Sequence, residues 1–485
     1  MTSEPTSAAN VAPIVPVANS FAAAFAALRA RAPALRAEEV AARRQRLRRL
    51  EDWLLLHRTE VQQALYQDFK KPAAETDLTE LWPSLTELRH TRRHLRRWLA
   101  RRRVGTPLAL LGTRSWVQLE PKGVVLIIAP WNYPFYLALD PLASALAAGN
   151  AVVIKPAEQT PATSALLRRM TQALFRPDEV LVVEGGKDEA TALLALPWDH
   201  IFFTGSPAVG KVVMRAAAEH LSGLTLELGG KSPAIVDETA NLRDAAEKLV
   251  WGKFLNAGQT CVAPDYLLVH ASVRDALVQA MRAAINKFYN ADQQGIEQSP
   301  ALARIVNAQH FARLAGLLAD AQARGATVAL GGRSDASQCY FEPTILTDVP
   351  AGAAVLEEEI FGPLLPVLTF GKLAEAVAYI NARPKPLAQY VFSASAANQR
   401  YLLAAVAAGG AAVNETIIQL AHPDLPFGGV GNSGLGKAHG YAGLLAFSNE
   451  KAVLRQRVGF TSIKPFYPPY TPRVRRLLDL LLRYL

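Results

Sequence analysis

The chain is 485 residues long, 50% hydrophobic and 19% charged, with a formal net charge of +10 and two cysteines. That length implies two or three domains with sizeable cores. Two cysteines exclude a disulfide framework, nine scattered histidines without a Cys/His cluster exclude a zinc centre, and no metal is expected.

Residues 1–19 are rich in Ala, Ser and Pro and are expected to form a disordered tail. They lack a basic region followed by an apolar one, and no stretch of the chain is apolar for long enough to span a bilayer. A cytoplasmic location is therefore expected, where thiols stay reduced. From 20 to about 105 the pattern is helical, with Leu47, Leu50, Leu54, Val61 and Leu65 keeping one face apolar. Most of the positive charge lies here, in "ARRQRLRRLEDW" and "RRHLRRWLARRR". These arginines interleave with Leu and Trp at helical spacing, and no nucleic-acid motif accompanies them; they read as basic outer faces, with no nucleic-acid partner. His90 and His94 are spaced i, i+4 as metal ligands can be, but the surrounding basic run would repel a cation.

Beyond 105 the texture changes to short apolar runs alternating with helical stretches. "GVVLIIAP" (123–130), "AVVIKP" (151–156), "EVLVVEGG" (179–186) and "HIFFTGS" (200–206) read as buried strands with room for a crossover helix between them. A second set follows: "SPAIVD" (232–237), "DYLLVH" (265–270), "ATVALGG" (326–332), "QYVFSAS" (389–395) and "GAAVNE" (410–415). The fold class is α/β, as two domains in series that join near "LELGGKSP" (226–233). Asn132, Lys155, Glu158, Gly205 and Ser206 follow the ends of three of these strands. Open α/β sheets bind ligands there, so the convergence points to a nucleotide site.

Two glycine motifs mislead. "GSPAVGKV" (205–212) matches a P-loop until its last position, where Val212 stands in place of the Ser or Thr that holds magnesium. What survives is a helix N-terminus able to receive a pyrophosphate. "GVGNSG" (429–434) matches G-x-G-x-x-G but follows a Pro/Gly loop instead of a strand, and reads as a functional or bridging surface loop.

Cys261 stands in a loop of small residues, "NAGQTCVAPDY" (256–266), and taken alone is either a buried small residue or a nucleophile. Cys339 has no such context and reads as a bystander. At the end of the chain, "TPRVRRLLDLLLRYL" (471–485) has Thr471 as N-cap and Pro472 at the first helical position. Val474, Leu477, Leu478, Leu481 and Leu485 form one face of that helix, opposite Arg476, Asp479 and Arg483.

Taken together, "PWNYPF" (130–135), "KPAE" (155–158), "FTGS" (203–206), "LELGGKSP" (226–233), "GQTC" (258–261), "EEIFGP" (358–363) and "LPFGGVGNSG" (425–434) resemble the NAD(P)-dependent aldehyde dehydrogenase superfamily. The motifs follow that family's order over residues 20 to 455. "CVAPDY", "FGGVGNSG" and "YPPY" further resemble its class 3 branch, which includes fatty aldehyde and coniferyl aldehyde dehydrogenases.

The resemblance implies a Rossmann-like cofactor domain (20–100 and 122–227), a catalytic α/β domain (228–425), an oligomerisation or bridging element (101–121 and 440–460) and a C-terminal tail (461–485). It implies Cys261 as nucleophile, Glu227 as general base and the Asn132 amide at the oxyanion. Lys155 and Glu158 match groups near the adenosine ribose, and Gly205, Ser206 and Gly210 the pyrophosphate turn. Glu359 and Phe361 match contacts to the nicotinamide half, with Pro130, Trp131 and Leu228 as further cofactor contacts. Tyr133 and Phe427 are expected to line an apolar entrance for medium-to-long aliphatic or aromatic aldehydes. The implied cofactor is NAD, favoured by the Glu158 carboxylate near the ribose, with NADP also accommodated. A homodimer is implied, and in fatty aldehyde dehydrogenases a C-terminal helix covers the substrate entrance and leads toward a membrane. For this helix the readings are a substrate cover, a dock on the dimer partner, or peripheral membrane contact. A cysteine-dependent esterase or other hydrolase would use the same thiol, oxyanion donor and base, but would leave Lys155, Glu158, Ser206 and Glu359 without a purpose.

Overall fold

The computed structural model describes residues 21–484, so the tail of residues 1–19 and Leu485 lie outside it. Helices α1 (Ala22–Ala37), α2 (Val40–Leu56), α3 (Arg58–Phe69) and α4 (Trp82–Trp98) come first. Leu47, Leu50, Leu54, Val61 and Leu65 are all fully buried, on the face their spacing predicts. The basic residues are not all on the outside. Arg43 and Arg46 are buried; Arg43 donates to the carbonyl of Ala148 at 2.6 Å, at the C-terminal end of a helix whose dipole favours a cation.

Three sheets follow. Strands β1 (Arg102–Val104), β2 (Thr113–Pro121) and, near the end of the chain, β18 (Ser448–Gln456) make a small antiparallel sheet in the order β1-β2-β18. The second is built from β3 (Val124–Ile128), β4 (Ala151–Lys155), β5 (Val180–Val182), β6 (His200–Gly205) and β7 (Gly223–Leu228). Its order is β17-β7-β6-β3-β4-β5, all parallel except the two-residue β17 (Gly434–Leu435). Strand β3 sits between β4 and β6, so chain order reverses there. Its crossover helices α5 (Tyr136–Ala148), α6 (Pro161–Leu174), α7 (Lys187–Leu194) and α8 (Pro207–Glu219) include the almost wholly buried α5.

The chain leaves this sheet at Leu228 and enters the third at Pro233. That sheet has the order β10-β13-β14-β9-β8-β15-β16, parallel apart from β10. Its strands are β8 (Pro233–Val236), β9 (Tyr266–His270), β10 (Thr327–Leu330), β13 (Thr344–Thr347), β14 (Leu364–Phe370), β15 (Ala388–Phe392) and β16 (Gly410–Val413); β11 (Ser334–Asp335) and β12 (Tyr340–Phe341) form a separate hairpin. Helices α9 (Leu242–Phe254) and α10 (Arg274–Tyr289) pack against each other beside it. Every apolar run singled out in the sequence contains a strand.

The C-terminal helix, α11 (Pro472–Tyr484), starts as predicted, with the Thr471 hydroxyl accepting the Val474 N–H at 3.5 Å. Val474 is buried, and Leu478 and Leu481 are partly covered. Leu480 and Tyr484 point outward, 60% and 73% exposed, so only part of the apolar surface is docked. No helix among the described residues is long and apolar enough to cross a membrane.

Candidate active site

The C-terminal ends of β3, β4, β6 and β7 lie along one edge of the sheet, which the register fixes. Ile128 pairs with Lys155, Thr204 with Glu227, and Gly205 with Leu228. A cavity of about 650 Å³ opens at this edge and reaches the residues between β7 and β8 and the loop before β9. Of the residues singled out from the sequence, Pro130, Trp131, Asn132, Gly205, Ser206, Glu227, Leu228, Cys261, Glu359, Phe361 and Phe427 line it.

Cys261 is placed by an unusual turn. Asn256 and Ala257 both take left-handed backbone angles, φ 55° and 53°, which side chains rarely adopt. Gly258 also has positive φ, and a Cβ there would lie 2.3 Å from the carbonyl oxygen of Gly362, so only glycine fits. The Asn256 amide donates to Asn132 O at 2.7 Å and Gln259 O at 3.2 Å, and Asn132 Nδ2 donates to the same Gln259 carbonyl at 3.0 Å. Asn132 and the cysteine loop are thus tied together through shared carbonyls. One N–H of the Asn132 amide is used in this; the other remains for the cavity.

The thiol is pushed up to about 12, first by burial and then by the carboxyls of Glu359 and Glu227, while the N–H groups of Cys261 and Val262 act in the opposite direction. Glu227 is 5% exposed, and neither carboxyl oxygen has a hydrogen-bond partner among the described residues. Burial drives its proton affinity well above the ordinary carboxylate range; Lys437 opposes this and Asp140 adds to it. A carboxylate so raised is a stronger base than a solvated one. The strand bearing it is covered by the glycine-rich loop: Gly434 pairs with Glu227, and a Cβ on Gly434 would meet Leu226 O at 2.5 Å. "GVGNSG" therefore ends in a short edge strand beside β7, next to the Glu227 it pairs with.

On the cofactor side, Ser206 caps α8, accepting the Val209 N–H at 3.3 Å. Gly210 lies inside α8, where a Cβ would press on Leu228 at 2.8 Å; its smallness lets the helix close on the end of β7. Gly210, Lys155 and Glu158 do not line the cavity. Lys155 Nζ donates to Pro156 O at 2.9 Å and faces Glu158 at 3.5 Å, beside the end of β4. Trp131 meets Phe361 edge-on at 5.3 Å and His310 at 4.7 Å. Glu359 is raised to about 8, mainly by burial and then by Asp265.

Tyr133 is the exception among the expected lining residues. It is 8% exposed, its hydroxyl shares a 2.5 Å hydrogen bond with Thr260, and its ring faces Lys71, 4.2 Å away. It points behind the cysteine loop instead of into the cavity.

Several residues at the site were given no role by the sequence. Lys231 bonds Asp265 and donates to Val355 O at 3.0 Å and Glu358 O at 2.6 Å; Arg313 donates to Glu359 O at 3.2 Å and Ile360 O at 2.6 Å. Together they hold the segment bearing Glu359 and Phe361. Asp140 and His439 also line the cavity, 3.7 Å apart, with the His439 ring stacked on Phe427. The first clue to them would have been charge inside apolar or glycine-rich context. Among the described residues, no group of three or more His, Cys, Asp or Glu could hold a metal ion.

A model of the aldehyde dehydrogenase family matches residues 7–453. The chain is 44% identical over 433 residues to the 4,4'-diaponeurosporen-aldehyde dehydrogenase of Staphylococcus aureus, covering 89% of this chain and 93% of that one. It is 42% identical over 463 residues to a probable coniferyl aldehyde dehydrogenase of Pseudomonas aeruginosa, covering 95% and 96%. Among solved structures, the NAD+ complex of an aldehyde dehydrogenase from Bacillus cereus superposes with a TM-score of 0.81 at 28% identity, covering 90% of this chain and 89% of that one.

Proposed function

Because the chain belongs to the aldehyde dehydrogenase family, and is an NAD(P)-dependent enzyme that oxidises aldehydes to acids, we propose that Cys261, Asn132 and Glu227 carry its chemistry. The supporting observation is the Glu227 carboxyl, buried with both oxygens unbonded in the cavity that Cys261 and Asn132 also line. No group among the described residues satisfies those oxygens, which leaves them to a reactant or water.

Cys261 gives up its thiol proton to water and, as the thiolate, its Sγ attacks the carbonyl carbon, forming a C–S bond while the C=O π electrons move onto the former carbonyl oxygen. The free N–H of Asn132 and the backbone N–H of Cys261 stabilise that charge; one such donor is worth roughly 3 kcal/mol of barrier. The nicotinamide, when bound, supplies the hydride acceptor. Re-formation of the C=O bond then leaves a thioester on Cys261. Glu227 takes a proton from water, the resulting hydroxide attacks the thioester carbon, and the C–S bond breaks to release the acid and the thiolate.

The chain's own residues suit the cofactor. Gly205 and Ser206 at the start of α8 offer room and backbone donors for a pyrophosphate, and Lys155 with Glu158 stand beside the end of β4 for the ribose. Trp131 and Phe361 wall the nicotinamide end, and Arg313 holds the Glu359 backbone beside them. Leu137, Phe427 and Ala438 supply apolar lining near Asn132, which favours medium-to-long aliphatic or aromatic aldehydes. The hydrolase alternative finds no support among the relatives.

Absorbance at 340 nm, with a panel running from acetaldehyde to long-chain and aromatic aldehydes and either cofactor, tests this. Reduction is expected with KM falling as the apolar part grows, and Cys261→Ala should abolish it. No reduction with any aldehyde, or an active Cys261→Ala, would overturn the assignment.

The C-terminal helix is proposed to rest against a lipid surface. Its outward Leu480 and Tyr484, flanked by exposed Arg476 and Arg483, support that contact.

A further inference from the structure

Behind the cysteine loop, away from the cavity, lies a buried cation with two carboxylates. Lys71 and Glu80 have fully buried side chains and form a 2.8 Å ion pair, while Glu75 is 9% exposed. All three come from the segment between α3 and α4. Beyond their own segment, they contact backbone or side chains near the reacting groups in sequence. Glu80 accepts the Tyr136 N–H at 2.8 Å, where α5 begins after Asn132. Lys71 faces the Tyr133 ring at 4.2 Å, and the Tyr133 hydroxyl bonds Thr260, the neighbour of Cys261. Glu75 accepts the Asn256 N–H at 2.9 Å, at the first of the two left-handed residues.

Ion pairs taken out of water are poor sources of stability, because desolvation offsets their attraction. Left-handed non-glycine residues persist only where their surroundings over-determine them. Both observations are met at once if the charges exist to hold the turn. From Asn256 the constraint passes through its amide to Asn132 O and Gln259 O, and from Gln259 O back to Asn132 Nδ2. No other side chain bonds the Asn256 N–H among the described residues.

We propose that Glu75, beside the Lys71–Glu80 ion pair, is a positioning residue that holds the Asn256–Ala257 turn and thereby sets the Asn132 amide against the Cys261 sulfur. This rests on the reading of Cys261 as nucleophile and Asn132 as oxyanion donor. Glu75 touches neither substrate nor cofactor, so its loss should appear in kcat and not in binding.

The test uses the full-length enzyme with Glu75→Ala, Glu75→Gln and Glu75→Asp, and Cys261→Ala as a control. Glu75→Ala should lower kcat by about 100-fold, the scale on which a displacement near 1 Å acts, with the Kd for NAD+ and the aldehyde KM within about threefold of wild type. Glu75→Gln, whose side-chain oxygen still accepts the Asn256 N–H, should recover most of the rate. A wild-type kcat in Glu75→Ala, a parallel loss of NAD+ binding, or a Gln variant as slow as the Ala variant would overturn the proposal. If Glu75→Ala does not fold, the other two decide: Gln should be near wild type and Asp, one methylene short of Asn256, slower by about tenfold or more, and equal rates would overturn it. An active Cys261→Ala would defeat the nucleophile reading itself. An inactive Cys261→Ala beside a fully active Glu75→Ala would defeat only the positioning role.

Discussion

Raising the pH on the enzyme without cofactor should release the reactivity of Cys261 over a range that an exposed thiol has already passed. The thiol stands near 12 against an ordinary 9.0, and burial is the first cause. At pH 8 the thiolate fraction is then about one in ten thousand, against about one in ten for a solvated thiol. Alkylation by iodoacetamide should therefore be about a thousandfold slower than for a free cysteine at that pH. It should climb about tenfold per pH unit from 7 to 10 with no plateau. Tryptic mapping separates Cys261 from Cys339, which is also raised but less deeply placed. Because burial outranks the two carboxyls, Glu359→Gln should speed alkylation only a few-fold, and mainly above pH 8, where Glu359 is ionised. A plateau with a midpoint at or below pH 8, in protein shown by circular dichroism to remain folded, would refute the reasoning.

Two further outcomes follow from buried groups and from the tail. Asp140 is raised by burial from 3.8 to about 7, so its contribution to stability is complete below about pH 3.8 and is lost as pH climbs to about 7. Asp140→Asn has no charge to bury; its melting temperature should exceed that of wild type at pH 8, by an amount set by at most about 4 kcal/mol, and the gap should narrow steadily between pH 7 and pH 4. A gap independent of pH would count against this. Deleting residues 471–485 should abolish co-sedimentation of the enzyme with anionic vesicles at low salt, and equal recovery of both proteins would discount the lipid contact.

What could be read in the sequence, and what could not, follows the physics of each element. The buried parallel strands announce themselves because both faces are covered, giving continuous apolar runs such as "VVLII" and "AVVI". β18 does not: "SNEKAVLRQ" is mostly exposed and polar, and it is a strand because nine of its residues pair with β2, more than 300 positions earlier. β14 was concealed by Pro366 within "LLPVLTF". At the site, Cys261, Asn132 and Glu227 were legible through ordered motifs and sit together on one cavity. Tyr133 was misplaced because its position beside Asn132 says nothing of direction, and the turn after β3 aims the two side chains apart.

The residues that hold the site in shape were the least legible, for a reason that reaches beyond this chain. A buried charge and a solvated one have the same letter, and helical periodicity marks both as polar. Lys71, Glu75 and Glu80 stand in a helical, charge-rich region where basic outer faces are the natural reading, yet two of the three have no exposed side-chain surface. What distinguishes them is the partner: Asn256 lies 181 positions from Glu75, and Tyr136 lies 56 from Glu80. Such pairings come into being only when the helical segment closes against the two parallel sheets, so no local pattern can carry them. The same closure brings two strained residues into the loop before Cys261. A reactive loop made from backbone angles that a chain resists must be held from outside itself, and in this protein the holding groups come from the helical region that precedes all three sheets.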